Sequence, residues 1–429
     1  MMKAPKSSQV FAVVDCNNFF VSCERVFQPH LNKRPVVVLS NNDGCAISRS
    51  NEAKALGIKM GEPFFKFEHL VKAYNVAVFS SNFPLYSDLS QRIMSILQED
   101  VPSVEMYSID EAFLDLSHIP NEDRTQWMLD LKAKIYQWVG VPVSIGCAET
   151  KTLAKVAVHY AKKSPKTKGV LDLTHSDFQN EALKRLPIEE IWGVGRKTAQ
   201  KCRSKAIQNA YDFKSLHTSD VLKLGSSVLA RTHQELQGVL CFLLEEAPDD
   251  RKNMAFTRSF GTPVESKEDL HQVFSEYAGR LGHKLRKHQL EAVGLYAFIR
   301  SNPFDDYRPY VYHSQNISFI EATNSTPDLM KASHAMLEKM YREGVQYKKA
   351  GLIALGLQPA HLHQRSLFEK PSREREDALM KTLDRVQNRF GRSSLQYASA
   401  GIQKQWWMKQ NKRSSDFTMH WGSLLTIEI

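Results

Sequence analysis

Long apolar runs are missing from this 429-residue chain. No window approaches about 18 consecutive apolar residues, so no membrane span is expected. Met1 to Val10 is short and polar and lacks the apolar centre of a signal peptide. Cysteine is sparse. Cys16, Cys23, Cys45, Cys147, Cys202 and Cys241 form no C-x-x-C pair, which excludes a disulfide framework and argues against a zinc site. Reduced thiols in a cytoplasmic protein are the expectation. Internal repeats and low-complexity tracts are also absent, and with 42% hydrophobic and 24% charged residues a collagen-like, mucin-like or wholly disordered chain is excluded.

What is present is an ordinary globular composition, 42% hydrophobic and 24% charged. The length exceeds the roughly 100–200 residues that one core usually holds, so three or more domains are expected. The net charge is +10. A basic balance favours a polyanionic partner only weakly, but its distribution says more. Lys151 to Val170 carries six lysines and no acid, and Arg196 to Lys205 carries five basic residues and no acid. Such clustering suits contact with phosphates.

Val10 to Val14 reads as a buried strand ending at Asp15, and Pro35 to Leu39 as a second strand before the turn Asn41-Asn42-Asp43-Gly44. Val104 to Tyr107 and Ala112 to Leu116 read as strands around Ser108-Ile109-Asp110-Glu111. Trp127, Leu131, Ile135 and Trp138 recur at helical spacing; a strand at Pro142 to Cys147 and a helix at Thr152 to Lys163 follow. This part is α/β. Leu186 to Gly238 is helical. Beyond it, strands and helices follow in the order β-α-β-β-α-β, a split βαβ domain, with Thr326 expected as a helix cap and Pro327 at the first helical position. A short helical pattern covers Asp377 to Arg389.

Asp15 ends one strand, and Asp110 and Glu111 sit at the junction of two others. Adjacent strands of one sheet would bring the three carboxylates together. Converging anions raise one another's pKa values unless cations neutralise them. Mg²⁺ does so with carboxylate and phosphate oxygens, and two ions would activate a hydroxyl and stabilise a leaving pyrophosphate. Three surface carboxylates that never meet would fit the spacing as well.

The segment Asp15-Cys16-Asn17-Asn18-Phe19-Phe20 with Ser22-Cys23-Glu24, the segment Ser108-Ile109-Asp110-Glu111-Ala112-Phe113-Leu114-Asp115, and the basic stretch from Ala154 to Lys162 resemble, in this order, three motifs of the Y-family DNA polymerases. Asn41 to Cys45 and Asn51 to Gly57 narrow the resemblance to the UmuC-like branch, over essentially the whole chain. The resemblance implies a right-hand polymerase, multidomain α/β and α+β, with a ferredoxin-like palm at 1–30 and 90–173 and small fingers at 31–89. A helix-hairpin-helix thumb would span 174–246, a linker 247–251, a split βαβ little finger 252–359, and a C-terminal tail 360–429.

The same resemblance assigns roles. Asp15, Asp110 and Glu111 would be catalytic and would hold two Mg²⁺ ions, with the Cys16 backbone carbonyl as a further ligand. Phe20 would be the steric gate that rejects a ribose 2′-hydroxyl, with Phe19 beside it; core packing is the plain alternative for Phe19. Ser48, Lys54 and Lys162 would meet the triphosphate, although Lys54 stands where arginine is more familiar and cannot bind in bidentate fashion. Gly193, Gly195, Arg196 and Lys197 suit a helix-hairpin-helix that holds DNA backbone, and a simple helix–helix turn is the alternative. In the little finger, Arg258, Lys284, Arg286, Lys287 and Arg300 are candidates for further backbone contacts, or ordinary surface charges. Gln364, Leu367 and Phe368 resemble a peptide that docks into the bacterial sliding clamp. Trp406, Trp407 and Trp421 would form a partner surface or close a small cap. Gly61 would open space above the nascent base pair, or simply occupy a turn.

The implied activity is error-prone translesion synthesis in an SOS-type damage response, on primer-template DNA and dNTPs. A UmuD′-like dimer, a RecA filament and the sliding clamp are the expected partners, in the cytoplasm and without a membrane. No recognisable exonuclease constellation accompanies the polymerase motifs. A palm-type nucleotidyl cyclase and a catalytically silent DNA-binding scaffold of the same fold remain as alternatives.

Overall fold

A computed structural model describes residues 9–174, 177–245, 250–362, 373–392, 394–419 and 422. The expected clamp peptide Gln364, Leu367 and Phe368, and Trp421, lie outside the described residues. The chain divides into two units. One comprises Met1–Ser40, Gly44–Pro248 and Lys412–Ile429, and the other Asn41–Asp43 and Asp249–Asn411.

The first unit begins with β1 (Phe11–Cys16), every residue of which is buried. Asn18 then turns the chain in a left-handed conformation (φ 47°, ψ 46°), which asparagine tolerates, into α1 (Phe19–Phe27). A small three-stranded sheet follows, made of β2 (Val36–Leu39), β3 (Ala46–Arg49) and β4 (Ala77–Ser80) in the order β3-β2-β4. It carries α2 (Asn51–Ala55) and α3 (Phe64–Tyr74). Next come α4 (Phe83–Asp100), β5 (Val104–Met106), β6 (Glu111–Asp115), α5 (Asn121–Val139), β7 (Val143–Ala148), α6 (Lys151–Lys163) and β8 (Val170–Asp172).

The central sheet has the order β5-β6-β1-β7-β8. Its middle strand is apolar on both faces because each face has its own helical cover. Ala12 and Val14 join one core with α4 and α5, while Phe11 and Val13 join another with α6. On α5 the core takes Met128, Leu131, Ile135 and Val139. Trp138 does not complete that stripe: it is 60% exposed, under the Lys134 ammonium. Two apolar faces were available at helical spacing, and packing chose the neighbouring one.

Gly146 sets the approach of α6 to β7. A Cβ there would stand 2.1 Å from the Val158 backbone nitrogen, so only glycine lets helix and strand lie so close. The far side of α6 packs against the helical segment α7 (Gln179–Arg185), α8 (Arg196–Arg203), α9 (Ala210–Lys214), α10 (Thr218–Leu224) and α11 (Ser227–Leu236). Buried Glu235 of α11 accepts both the Thr152 amide (2.9 Å) and hydroxyl (2.7 Å), capping the first turn of α6 beside Thr150.

The second unit contains β9 (Asn253–Val264), α12 (Lys267–Lys287), β10 (Leu290–Arg300), β11 (Tyr312–Thr323), α13 (Thr326–Met340) and β12 (Tyr347–Pro359). The order β-α-β-β-α-β is the expected one, and the sheet reads β11-β10-β12-β9. The cap of α13 is Ser325 rather than Thr326: its side chain accepts from the Asp328 amide, and Pro327 lies inside the first turn. Then α14 (Arg373–Phe390) docks through Asp384, which accepts from Arg286 Nε (2.7 Å) and Nη2 (2.9 Å) and pairs with His283 (3.0 Å). Arg286 is therefore engaged inside the unit. Trp406 is buried beside Phe260 and Tyr277, whereas Trp407 is 42% exposed. No helix among the described residues is long and apolar enough to cross a membrane.

Candidate active site

The antiparallel register sets Asp15 of β1 opposite Glu111 of β6. The Cys16 amide donates to the Asp110 carbonyl at 2.9 Å, so Asp110 is held at the same end of the sheet. Ser108 donates its hydroxyl to Asp110 Oδ1 at 2.6 Å. The strand ends thus place at one end of the sheet the three carboxylates that the sequence singled out.

One face of α6 lies over them. Lys151, Lys155 and Lys162 share that face, at spacings of one and about two helical turns. Each meets an acid on a different neighbouring strand. Lys151 pairs with Glu105 on β5, Lys155 with Glu111 on β6 at 2.8 Å, and Lys162 with Asp15 on β1. Lys155 also sits over the Tyr107 ring at 4.7 Å, and Tyr107 accepts from Trp192 Nε1 at 3.0 Å.

Burial, and hydrogen bonding with Glu111, push the Asp15 carboxyl up to about 7, against the pull of Lys162. Burial raises Glu111 too, but its bond with Asp15 and the Lys155 ammonium hold it below the ordinary carboxylate range. Two facing carboxyls, one raised by burial and one held low by a cation, are a place where a metal ion fits. Among the described residues no three carboxyl, imidazole or thiol groups are already gathered as a metal cage. The ammonium of Lys162 occupies Asp15 instead.

Asp15 and Asp110 open onto a cleft of about 200 Å³, lined also by Phe20, Ser48, Arg49, Lys54 and Lys162. Phe19 is buried and Phe20 half-buried. The Phe20 ring stacks on Tyr86 at 4.5 Å and 16°, and meets Phe83 edge-on at 5.9 Å. The Ser48 hydroxyl is occupied in bracing the turn: it accepts from the Val21 amide and donates to the Asn18 carbonyl, both at 3.3 Å. Lys54 donates to Asn18 Oδ1 at 2.6 Å. Burial lowers the Lys54 pKa, and the nearby cations Arg49 and Lys162 lower it further. Crowded cations of this kind suit an anion.

Sequence reasoning missed Arg49. One of its terminal nitrogens donates to the Ile58 carbonyl at 2.6 Å, while Nε is buried without a hydrogen-bond partner among the described residues. Its alternation with Ser48 on β3 gave no signal, because only the fold turns that strand toward Asp15.

The helix-hairpin-helix candidates do not line this cleft. Gly193 has φ +84° and Gly195 caps α8; Arg196 and Lys197 are exposed in its first turn. The 3₁₀ turn Ile188–Glu190 directly precedes the glycines, with α7 ahead of it. In the second unit, Arg258 lies over the Phe256 ring (4.7 Å), with Lys284 over the same ring (5.5 Å). Strand alternation puts Arg258 on the α12 side of β9, not on the open sheet face. Gly61 has φ +73° with open space around it.

Comparison with known proteins gives this arrangement its context. The impB/mucB/samB family matches residues 14–159 and its C-terminal domain residues 251–367. The IMS family HHH motif matches 176–205, and a domain of unknown function 377–427. The protein UmuC of Salmonella typhimurium is 39% identical over 98% of this chain and 100% of its own length. The DNA polymerase IV of Bacillus velezensis is 26% identical over 77% of this chain and 78% of its own. A solved Y-family DNA polymerase chimera, Dbh-Dpo4(243-245)-Dbh, superposes with a TM-score of 0.64 at 21% identity, covering 81% of this chain and 98% of that one. With Asp15 of β1 and Asp110 facing a cationic cleft, the chain belongs to the impB/mucB/samB family, as a UmuC-like Y-family polymerase and thus a DNA-directed DNA polymerase acting on DNA and dNTPs.

Proposed function

We propose that the chain is an error-prone translesion polymerase that works by two-metal catalysis during an SOS-type damage response. The observation that carries this reading is the register of Asp15 against Glu111, with Asp110 beside them, at the mouth of a cleft lined by Phe20, Lys54 and Lys162. In this reading β1 and β5–β8 with α4–α6 serve as the palm, the β3-β2-β4 sheet as the fingers, α7–α11 as the thumb and the split βαβ unit as the little finger. The fingers are small, which leaves room for a damaged base.

Asp15, Asp110, Glu111 and the Cys16 carbonyl would hold two Mg²⁺ ions. The raised Asp15 carboxyl, facing Glu111 across the strands, fits that demand. When bound, the ions supply activation of the primer hydroxyl and charge stabilisation at the leaving pyrophosphate. The chain's own residues do the rest. Lys162 releases Asp15 and turns its ammonium to the triphosphate, a point charge that needs no fixed fork. Lys155 keeps Glu111 ionised and in place. Arg49 and Lys54 face the triphosphate from β3 and α2. Phe20, backed flat by Tyr86, closes the space a ribose 2′-hydroxyl would need. Arg196 and Lys197 meet DNA phosphates at the start of α8, and Arg258 with Lys284 gives a second basic contact. A UmuD′-like dimer, a RecA filament and the sliding clamp complete the reading, in the cytoplasm.

The test is primer extension with Mg²⁺ and four dNTPs on intact and abasic templates, with and without UmuD′, RecA filament and clamp. Extension past the abasic site, lost in Asp110→Asn, supports the proposal. Folded, DNA-bound protein that extends in none of these mixtures would identify a silent scaffold instead.

A further inference from the structure

Residues 412–418 belong to the first unit and lie against α1, β4 and α4. The Ser80 amide donates to the Lys412 carbonyl at 3.0 Å, and the Lys412 amide returns a bond to the Ser80 hydroxyl at 2.9 Å. The Asn82 amide group donates to the Ser414 hydroxyl at 3.0 Å and the Ser415 carbonyl at 3.1 Å. Phe417 is buried and stacks on Phe27 at 4.8 Å with the rings 5° apart.

This segment ends on Glu24, which has no exposed surface. Burial raises the Glu24 pKa, and donors must offset the cost of the charge. Tyr86 donates its hydroxyl to Oε1 at 2.7 Å, and Ser414 donates to the same oxygen at 3.1 Å. Gln28 reaches Oε2 at 3.5 Å. Tyr86 is also fully buried, and its ring is the plane on which Phe20 stacks. Phe20 and Glu24 lie one helical turn apart on α1, so they face Tyr86 together. Ser414, Glu24, Tyr86 and Phe20 form one unbroken line of contact from the C-terminal segment to the cleft.

We propose that Ser414, with the segment 412–418, is a positioning element that sets how strictly the polymerase rejects ribonucleotides. The inference rests on the reading of Phe20 as the sugar gate. Ser414 shares the stabilisation of Glu24 with Tyr86. Without it, Glu24 draws harder on Tyr86 or takes up a proton, and the Tyr86 ring is no longer held in one plane. A gate backed by a loose ring admits a 2′-hydroxyl more readily, while a deoxyribose, which never presses on the gate, binds as before. The role gives the C-terminal domain of unknown function a task inside the nucleotide site.

The experiment compares dATP with ATP opposite template thymine, using the full chain in the mixture that supports extension. It reads kcat/KM for each nucleotide and also their relative retention on a dideoxy-terminated primer-template with Mg²⁺, which needs no turnover. Phe20→Val should lower discrimination about 100-fold. Ser414→Ala and Tyr86→Phe should each lower it about three- to tenfold, through tighter ATP use with dATP nearly unchanged. Ser414→Thr, which keeps the hydroxyl, should restore it. Wild-type discrimination in Ser414→Ala and Tyr86→Phe, beside a collapse in Phe20→Val, would overturn the inference and leave the gate standing. Unchanged discrimination in Phe20→Val would remove the gate itself.

Discussion

The two ends of α6 carry the same kind of bond in different surroundings. At its start, Lys151 meets Glu105 with side-chain exposures of 3% and 10%. Glu105 also accepts the Glu245 amide at 2.8 Å, and Phe113 lies under the lysine at 4.9 Å. Nothing can replace either partner there. At its end, Lys162 meets Asp15, but the lysine is 35% exposed and both line the cleft. Buried without an alternative, an ion pair is scaffold. In the proposed reading the open pair is an exchangeable placeholder, because cation and phosphate can each take one member. Sequence spacing alone does not separate the two cases; solvent access does.

Breaking the buried end should have the largest effect. Lys151→Met leaves Glu105 charged and buried, and should cost about 3–5 kcal/mol in urea unfolding. Adding Glu105→Leu should recover most of that loss, since replacing both charges removes the desolvation cost. Failure to recover would mean that the Glu245 amide bond matters more than the ion pair.

At the open end, Asp110→Asn should reduce extension by at least about 100-fold while the melting temperature stays near wild type. Asparagine keeps the bond from Ser108 and loses only the charge. Near-normal turnover would refute the metal assignment.

The Asp384 pair of the second unit extends the comparison to acid. Burial opposes ionisation of Asp384, but Arg286 and His283 hold it below its ordinary value of 3.8. A depressed carboxyl adds stability above its unfolded pKa and loses it as pH falls through the folded value. Asp384→Asn should therefore cost about 2 kcal/mol at neutral pH. The gap from wild type should narrow below about pH 4. A gap that persists in strong acid would assign the effect to packing of α14.

Lys162→Ala should be milder than either break, raising the KM for dNTPs about tenfold with stability unchanged or slightly improved. A drop in stability like that of Lys151→Met would erase the distinction between the two ends. The smallest change is expected outside the cleft. Arg196→Gln should reduce the salt slope of DNA binding by about one without altering dNTP affinity.

The strand that delivers Asp15, the junction that delivers Asp110 and Glu111, and the β-α-β-β-α-β order of the second unit are legible in the residues alone. These are local: hydrophobic period, turn chemistry and motif order are written in neighbouring residues. Lys162 came through the resemblance of its stretch to a family motif. Tertiary structure alone decided which lysine meets which acid, because that depends on the strand order β5-β6-β1 and on α6 crossing close at Gly146. The same holds for Arg49 in the cleft, for Trp138 outside the core and Trp406 inside the second unit's, and for Ser414 reaching Glu24 from nearly the other end of the chain. Contacts between residues far apart in sequence follow from packing geometry, and no local pattern encodes them.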